Sequence, residues 1–287
     1  MCSLSEAYHK LVASSFFLDG KPRPLIEKAL EELEDVSKEG GLLALQLPTG
    51  YGKTAITYAS FISSIIHPAF FWRVLHIAPL RTLIEDIYLR FQQGFERCCG
   101  RTDFLKELVG IQMMLVAGSP YFQKRLTVTT FDTLTLSMAK IPPLEAEDIA
   151  IGRGYGHFDI PRASVLESLV VMDEVHSFLS EDESNKALQV LLSIINYLVE
   201  CRTPLVLMTA TMPKRHLESM AKSILQRTNV TFKALYYGSE GYVDKEFENE
   251  QTSKNIYTSI VDGGLNSIVS RAVELASSYN RVLVVLN

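Results

Sequence analysis

The sequence lacks several features that would assign the chain to a particular class of protein. Its 287 residues include only four cysteines, none in a C-x-x-C pair, so we expect free thiols, a reducing compartment and no zinc site. No apolar stretch reaches the roughly 20 residues that a membrane-spanning helix needs. The first residues also lack the basic start and apolar core of a signal peptide. We therefore expect a soluble cytoplasmic protein with no membrane partner.

An excess of positive charge is also absent. The formal net charge is −5, so the overall charge gives no support to nucleic-acid binding. It does not exclude such binding, because a local groove can be basic on an acidic protein. The composition, 47% hydrophobic and 21% charged, suits one α/β domain with additional segments or two small domains.

Residues 47–54 form the most informative segment of the chain. They read Leu-Pro-Thr-Gly-Tyr-Gly-Lys-Thr, between an apolar run typical of a buried strand and a helical pattern. A loop in this position presents backbone N–H groups and a helix N-terminus to an anion. The predicted nucleotide-binding residues are Pro48, Thr49, Gly50, Tyr51, Gly52, Lys53 and Thr54.

Two side chains in this loop have predicted roles. Lys53 would reach the β- and γ-phosphates, and the Thr54 hydroxyl would bind Mg²⁺. Gly50 and Gly52 would allow positive φ angles and a close approach of the backbone. The usual pattern opens with glycine, where this chain has Leu47. The alternative is a glycine turn that carries Gly-Lys-Thr by chance.

A second segment, residues 169–176, follows the same strand-then-polar pattern. Four apolar residues indicate a buried parallel strand, and Asp173 and Glu174 stand at its carboxyl end, where α/β sheets place their ligands. Asp173 can hold Mg²⁺, and Glu174 can orient and deprotonate an attacking water. The alternative is that the two carboxylates only cap the next helix.

The order of the elements predicts an α/β fold, a parallel sheet with helices on both faces. Strands are expected near residues 42–45, 73–78, 126–130, 169–172 and 205–208, and residues 141–162 are expected to form a loop or insertion. We expect three parts: a first lobe over 1–225, a linker or excursion over 226–263, and the start of a truncated second lobe over 264–287. The last part would consist of a helix followed by a strand at 281–286.

These motifs, with Asp-Glu-Val-His at 173–176 and Thr-Ala-Thr at 209–211, resemble the first RecA-like lobe of superfamily 2 helicases of the DExH type. The likeness covers about residues 20–215. Within that superfamily, the chain is most similar to the CRISPR-associated type I helicase. None of the six histidines is followed by Asp, so the resemblance does not extend to that family's HD nuclease.

The resemblance implies ATP and Mg²⁺ as ligands and assigns roles to single residues. Lys53, Asp173, Glu174 and His176 would be catalytic, with Thr54 and Asp173 at the metal and His176 as a relay. Thr209 and Thr211 would couple lobe closure to hydrolysis, and Arg81, Thr82, Thr129 and Thr130 would contact a nucleic-acid backbone. The alternatives are a structural histidine, ordinary capping at a strand end, and solvated loops.

The function implied is the ATP-binding lobe of an ATP-dependent single-stranded DNA translocase in CRISPR interference, with a surveillance complex and a separate HD nuclease as partners. The family's second-lobe arginines are missing, so we expect almost no activity from this chain alone. Residues 22–27 hold no glutamine that would read adenine, which puts base selectivity in doubt. Two alternatives stay open: another DExH helicase of DNA repair or RNA metabolism, and a stand-alone nucleotide-binding interaction domain.

Overall fold

The computed structural model describes residues 3–17, 20–68, 70–100, 102–114, 116–153, 157–178, 186–211, 214–215, 218–219, 222, 229–238, 241–253 and 264–278. The chain divides into two compact units, Met1–Val243 and Asp244–Asn287. The first unit contains every described strand. No helix in the described ranges is long and apolar enough to cross a membrane.

The first unit is built on an eight-stranded sheet. The strands in chain order are β1 (Gly41–Gln46), β2 (Arg73–Ala78), β3 (Val109–Met113), β4 (Val116–Ala117), β5 (Leu126–Thr130), β6 (Ser168–Met172), β7 (Leu205–Thr209) and β8 (Thr231–Tyr236). Their spatial order is β4-β3-β5-β2-β6-β7-β1-β8. All neighbours pair in parallel except β3 and β4.

Helices connect and cover these strands. In chain order they are α1 (Leu4–Ala13), α2 (Pro24–Glu39), α3 (Thr54–Ile66), α4 (Arg81–Cys99), α5 (Leu105–Leu108), α6 (Phe131–Met138), α7 (Ala146–Ala150), α8 (Asp159–Leu166) and α9 (Lys186–Glu200). The second unit contributes α10 (Lys245–Thr252) and α11 (Leu265–Ser278).

Both faces of the sheet are buried. On one face, alternate strand residues such as Leu75, Ile77 and Met172 pack against α6, α8 and α9. On the other face lie α2, α3 and α4, with α1 packed on α2 and α3. The inner strands are buried on both sides, which explains their continuous apolar sequences.

The limits of the helices follow from local chemistry. Pro24 opens α2, where its missing N–H costs nothing, and Gly40 follows the helix with φ of +70°. The Thr130 side chain accepts a hydrogen bond from the Thr133 N–H and so caps α6. These caps fix where the chain enters and leaves the sheet.

The predicted α/β architecture is confirmed, and β1, β2, β5, β6 and β7 lie where the sequence placed strands. β3 and β4 were not anticipated. The range 141–162, expected to be a loop or insertion, contains α7 and the start of α8. The helix expected in the last part of the chain is α11, whereas the strand expected at 281–286 lies outside the described residues.

The range 226–263, expected to be a linker or excursion, contains a strand of the sheet, β8. Within it, β8 pairs in parallel with β1, so the sheet of the first unit extends to Tyr236. As an edge strand, β8 is only half-buried, and its Lys233 pairs with Glu32 of α2 at 2.9 Å. Its composition is therefore more polar than that of the inner strands, which is why the sequence indicated a linker.

The aromatic cluster around Phe91 of α4 provides a test of how the helices pack on one face of the sheet. The ring of Phe91 lies 4.9–5.8 Å, between centroids, from the rings of Phe16, Tyr58, Phe61 and Phe95. We expect Phe91→Ala to lower the free energy of unfolding by about 3–5 kcal/mol, because it leaves a cavity among these rings. Chemical denaturation measures the change. Leu89→Ala, at an exposed position of the same helix, should change it by no more than about 0.5 kcal/mol, and equal effects would contradict this packing.

Candidate active site

Parallel pairing brings the carboxyl ends of five neighbouring strands to one edge of the sheet. In space their order is β5, β2, β6, β7 and β1. The chain that leaves these ends carries, in the same spatial order, Thr130, Arg81, Asp173 with Glu174, Thr211, and the loop of residues 47–53. The motifs singled out from the sequence therefore share one edge, where α/β sheets bind ligands.

The loop between β1 and α3 has the shape of an anion cradle. Gly50 and Gly52 have φ angles of +81° and +97°, in the left-handed region that favours glycine. A Cβ at either position would meet no other atom within 4 Å, so the backbone angle rather than crowding requires glycine. No side chain caps the N-terminus of α3. The helix dipole therefore favours a bound anion, while the Ala55 and Ile56 N–H groups already donate to the Gly52 and Lys53 carbonyls.

The residues of this loop differ in exposure. Thr49, Gly50 and Gly52 are exposed, and Pro48 and Thr54 are half-buried.

Tyr51, in contrast, is fully buried and turned toward the N-terminal helices. Its hydroxyl accepts a hydrogen bond from the Leu25 N–H at 3.3 Å, and the Arg23 guanidinium lies 5.9 Å from its ring centroid. The Tyr51 side chain thus anchors the loop to the domain, and only its backbone faces the candidate ligand site.

Lys53 links the loop to the end of β6. Its Nζ donates to the Leu47 carbonyl and to Glu174 Oε1, both at 3.3 Å. The Lys53 side chain is only 8% exposed. A buried ammonium needs such partners, because an unpaired charge away from water is costly. Lys53 is therefore held by the groups that surround the candidate phosphate site.

Glu174 adopts an unusual backbone conformation. Its φ angle is +50°, which is uncommon for a residue with a side chain and costs energy. Its N–H donates to Asp173 Oδ1 at 2.9 Å. This turn ends β6 and directs the Glu174 carboxylate to Lys53. Strain of this kind is typical of functional sites.

Asp173 is held at the end of β6, where its N–H donates to the Ile77 carbonyl at 2.8 Å. Burial, together with the nearby charge of Glu174, raises the pKa of Asp173 to about 6, and Lys53 opposes this shift. The carboxylate is therefore poorly compensated by the protein alone. A cation at this position would stabilise its charged form.

His176 connects the Asp-Glu segment to β7. Its Nδ1 lies 3.1 Å from Thr209 Oγ1 and 3.2 Å from Glu174 Oε2. Thr209 is buried, and its Oγ1 also accepts from the Thr211 N–H at 3.4 Å. The structure thus brings His176, Thr209 and Glu174 into one network, with exposed Thr211 beside it.

The four residues expected to contact a nucleic-acid backbone do not behave alike. Arg81 and Thr82 are exposed at the N-terminus of α4, which has no side-chain cap. Thr129 is fully buried, and its hydroxyl donates to the Gln112 carbonyl at 2.6 Å. Thr130 is mostly buried and caps α6.

The expectation for Thr129 therefore needs correction. The pleat of β5 turns its side chain into the interior, where it ties β5 to β3 and is not presented to a ligand. Thr130 has a structural role as well, because its side chain is engaged by Thr133. Arg81 and Thr82 are the two candidates that the structure leaves on the surface.

The residues present fit a magnesium ion bound together with a nucleotide. Mg²⁺ prefers oxygen ligands and commonly takes only one or two from the protein, with phosphate and water oxygens completing its shell. Asp173 supplies a carboxylate, and Thr54 supplies a hydroxyl on the first turn of α3. No group of three or more His, Cys, Asp or Glu side chains that could hold a metal occurs within the described residues.

The structure adds three residues to the site that have no role assigned from the sequence. The Leu47 carbonyl helps to hold Lys53, and no sequence signal predicts a backbone contact of this kind. His76 and Thr57 lie behind Asp173, joined by a hydrogen bond of 2.8 Å between Nδ1 and Oγ1. A histidine within an otherwise apolar strand was the available signal.

Comparison with known proteins places this site in a family context. The model of the DEAD/DEAH box helicase family matches residues 24–220. The chain is 24% identical over 205 residues to the CRISPR-associated helicase Cas3 of Thermoproteus tenax, and the alignment covers 68% of this chain and 34% of that protein. The chain thus spans about a third of the length of this relative.

Solved structures give the same fold. T. fusca Cas3 with ATP matches with a TM-score of 0.52 and 17% identity, over 75% of this chain and 24% of that one. T. fusca Cas3 with AMPPNP matches with a TM-score of 0.51 and 16% identity, over the same shares of each chain. The likeness confirms the RecA-like fold expected from the sequence.

The raised pKa of Asp173 predicts a pH-dependent stability. Its pKa is 3.8 in the unfolded chain and about 6 in the folded chain, so the folded state loses stability as pH rises through this window. We expect Asp173→Asn to stabilise the nucleotide-free chain above pH 6, on the order of 1–3 kcal/mol, with a gain that disappears toward pH 4. Urea unfolding at several pH values measures this gain.

The matched control for that experiment is Asp103→Asn, at an exposed position. This variant should show no comparable gain. An Asp173→Asn variant that is less stable than the native chain at pH 7.5 would contradict the electrostatic account of the site.

Proposed function

The chain belongs to the DEAD/DEAH box helicase family, and we propose that it is the ATP-binding first lobe of an ATP-dependent translocase that acts on single-stranded DNA in CRISPR interference. The observation that carries this proposal is the contact between Lys53 and Glu174. It joins the phosphate-loop lysine to the carboxylate that would activate water, at the edge of the sheet where a nucleotide would bind.

Binding of ATP begins with an exchange of partners at Lys53. The γ-phosphate would replace Glu174 as the anionic partner of Lys53. The N–H groups of the loop and of the α3 N-terminus would donate hydrogen bonds to the other phosphate oxygens. Thr54 and Asp173 would hold Mg²⁺, which neutralises phosphate charge when bound.

Once Lys53 releases Glu174, the Glu174 carboxylate can act as the general base. Its Oε1 loses a cationic partner when Lys53 turns to the phosphate, so the carboxylate becomes free to accept a proton from the attacking water. The φ angle of +50° holds the side chain at the edge of the site. Asp173 remains fixed by its backbone bond to Ile77.

His176 would transmit a change of hydrogen-bond partner at Glu174 to the neighbouring strand, β7. Its Nδ1 is within reach of both Glu174 and Thr209, so a change of partner at Glu174 changes the hydrogen bonding at the end of β7. Thr211, two residues beyond Thr209, is exposed at that end. We assign these residues the role of coupling hydrolysis to the second lobe.

The nucleic-acid contact is assigned to the start of α4. Arg81 can pair with a backbone phosphate, and the uncapped N–H groups of α4 favour an anion beside Thr82. Such contacts position a strand without reading its sequence. This local feature compensates for a chain whose net charge of −5 does not favour nucleic acid overall.

The place in CRISPR interference rests on similarity. The relative from Thermoproteus tenax is a CRISPR-associated helicase, at 24% identity. A surveillance complex and a separate HD nuclease, in the cytoplasm, are the partners that this assignment implies. The proposed domain order ends in a second lobe that would begin at residue 264, and α11 is compatible with its first helix.

Steady-state hydrolysis of ATP tests the proposal. We expect this chain to bind ATP through Lys53 and to turn it over no faster than Glu174→Gln, because an arginine from the second lobe contributes on the order of 10³–10⁵ in rate. Lys53→Ala should abolish binding, whereas Lys38→Ala, at an exposed lysine, should not. The assay is run with and without single-stranded DNA and RNA.

The outcomes separate the competing functions. Turnover well above that of Glu174→Gln would refute the need for an arginine from a second lobe. Stimulation by RNA rather than DNA would favour a helicase of RNA metabolism. Failure to bind ATP would overturn the proposed function altogether.

A further inference from the structure

His76 is a buried titratable residue to which the mechanism above gives no task. It lies in the middle of β2 and is fully buried. Burial lowers the pKa of its imidazole to about 4, so the ring is neutral at physiological pH. One ring nitrogen of a neutral imidazole is a donor and the other an acceptor. The partners of the two nitrogens therefore determine what the residue can do.

The two ring nitrogens of His76 differ in their hydrogen-bond partners. Nδ1 is hydrogen-bonded to Thr57 Oγ1 at 2.8 Å. Nε2 has no hydrogen-bond partner and lies 3.9 Å from Asp173 Oδ2, which is longer than a hydrogen bond. A buried polar atom without a partner is destabilising, so its retention calls for an explanation.

The sheet topology places His76 on the same face of the sheet as Asp173, the candidate metal ligand. His76 stands opposite Val171 in the parallel pairing of β2 and β6, and Asp173 follows Val171 by two residues. Because side chains alternate along a strand, His76 and Asp173 point to the same face of the sheet. Thr57 lies three residues after Thr54 on α3, so these two hydroxyls share one side of the helix. A line of polar groups thus runs from α3 through His76 to Asp173.

We propose that His76 is a positioning residue that holds the Asp173 carboxylate for the divalent cation of the bound nucleotide. Thr57 donates to Nδ1, which leaves the proton on Nε2. This N–H then donates to Asp173 Oδ2 when the carboxylate binds the cation, after an approach of about 1 Å. The inference rests on the proposed function, since it requires a nucleotide-bound cation at Asp173.

The electrostatics select this tautomer. In the other tautomer, a bare Nε2 lone pair would face the ionised carboxylate, and the two acceptors would repel each other. With the proton on Nε2, the same contact is attractive. Hydrogen bonds of this kind to a metal-binding carboxylate fix its orientation, and their loss commonly costs 10–100-fold in metal affinity.

The first test is the tautomer itself, read from the ring ¹⁵N shifts of His76 in the nucleotide-free chain. We expect the Nε2–H form. Thr57→Val should disturb these shifts because it removes the hydroxyl at the same side-chain volume, and Thr57→Ser should preserve them. A ring protonated at Nδ1 in the native chain would overturn the proposal.

The second test measures how much Mg²⁺ tightens the binding of a fluorescent ADP, as the ratio of the Kd values in EDTA and in Mg²⁺. We expect His76→Asn, whose amide reaches only the Nδ1 position, to reduce this ratio about tenfold while the Kd in EDTA stays unchanged. His76→Gln, whose amide reaches the Nε2 position, should restore most of it. Thr57→Val should reduce the ratio, and Thr57→Ser should not.

Thermal unfolding of each variant accompanies the measurement, because a merely structural histidine would change stability without changing the Mg²⁺ ratio. A native ratio in His76→Asn and Thr57→Val would overturn this inference and leave the proposed function standing. If Mg²⁺ does not tighten the binding of ADP to the native chain, both the inference and the assigned metal site are overturned.

Discussion

The site depends above all on the parallel pairing of β6 between β2 and β7. This pairing brings Glu174 within 3.3 Å of Lys53, although 121 residues separate them in the chain. It also sets Asp173 on the face of the sheet that α3 covers, and it places Thr209 within reach of His176. A shift of β6 by one residue would turn Asp173 to the opposite face of the sheet, because side chains alternate along a strand. The register of β6 therefore fixes where Asp173 and Glu174 lie relative to Lys53.

The balance of charge explains the electrostatics of this site. Two carboxylates and one ammonium lie together with little access to water, so negative charge is incompletely compensated. Burial and the nearby charge of Glu174 raise the pKa of Asp173, and Lys53 contacts both Glu174 and the Leu47 carbonyl. A nucleotide that brought its own cation would stabilise the charged form of Asp173, which is the physical link between the structure and the proposed binding of ATP and Mg²⁺.

Much of the fold follows from local signals, and the exceptions have identifiable causes. Strands buried on both faces leave continuous apolar runs, so β1, β2, β5, β6 and β7 were predictable from their sequences. β8 was not, because an edge strand that is half-buried carries polar residues and reads as a linker. The resemblance to the family assigns Thr129 a contact with a nucleic-acid backbone. Only the pairing of β5 with β3 decided that its hydroxyl donates to the Gln112 carbonyl inside the domain.

The sequence by itself determined the chemistry of this protein: a glycine-rich loop with Lys53 and Thr54, two carboxylates after a buried strand, and the order of the two along the chain. These are local properties, because loop conformation and strand burial are encoded by neighbouring residues. Tertiary structure alone decided which groups meet, including Lys53 with Glu174, and His76 with both Thr57 and Asp173. Such contacts depend on strand order and register, which arise from packing across the whole sheet and leave no pattern in any one segment.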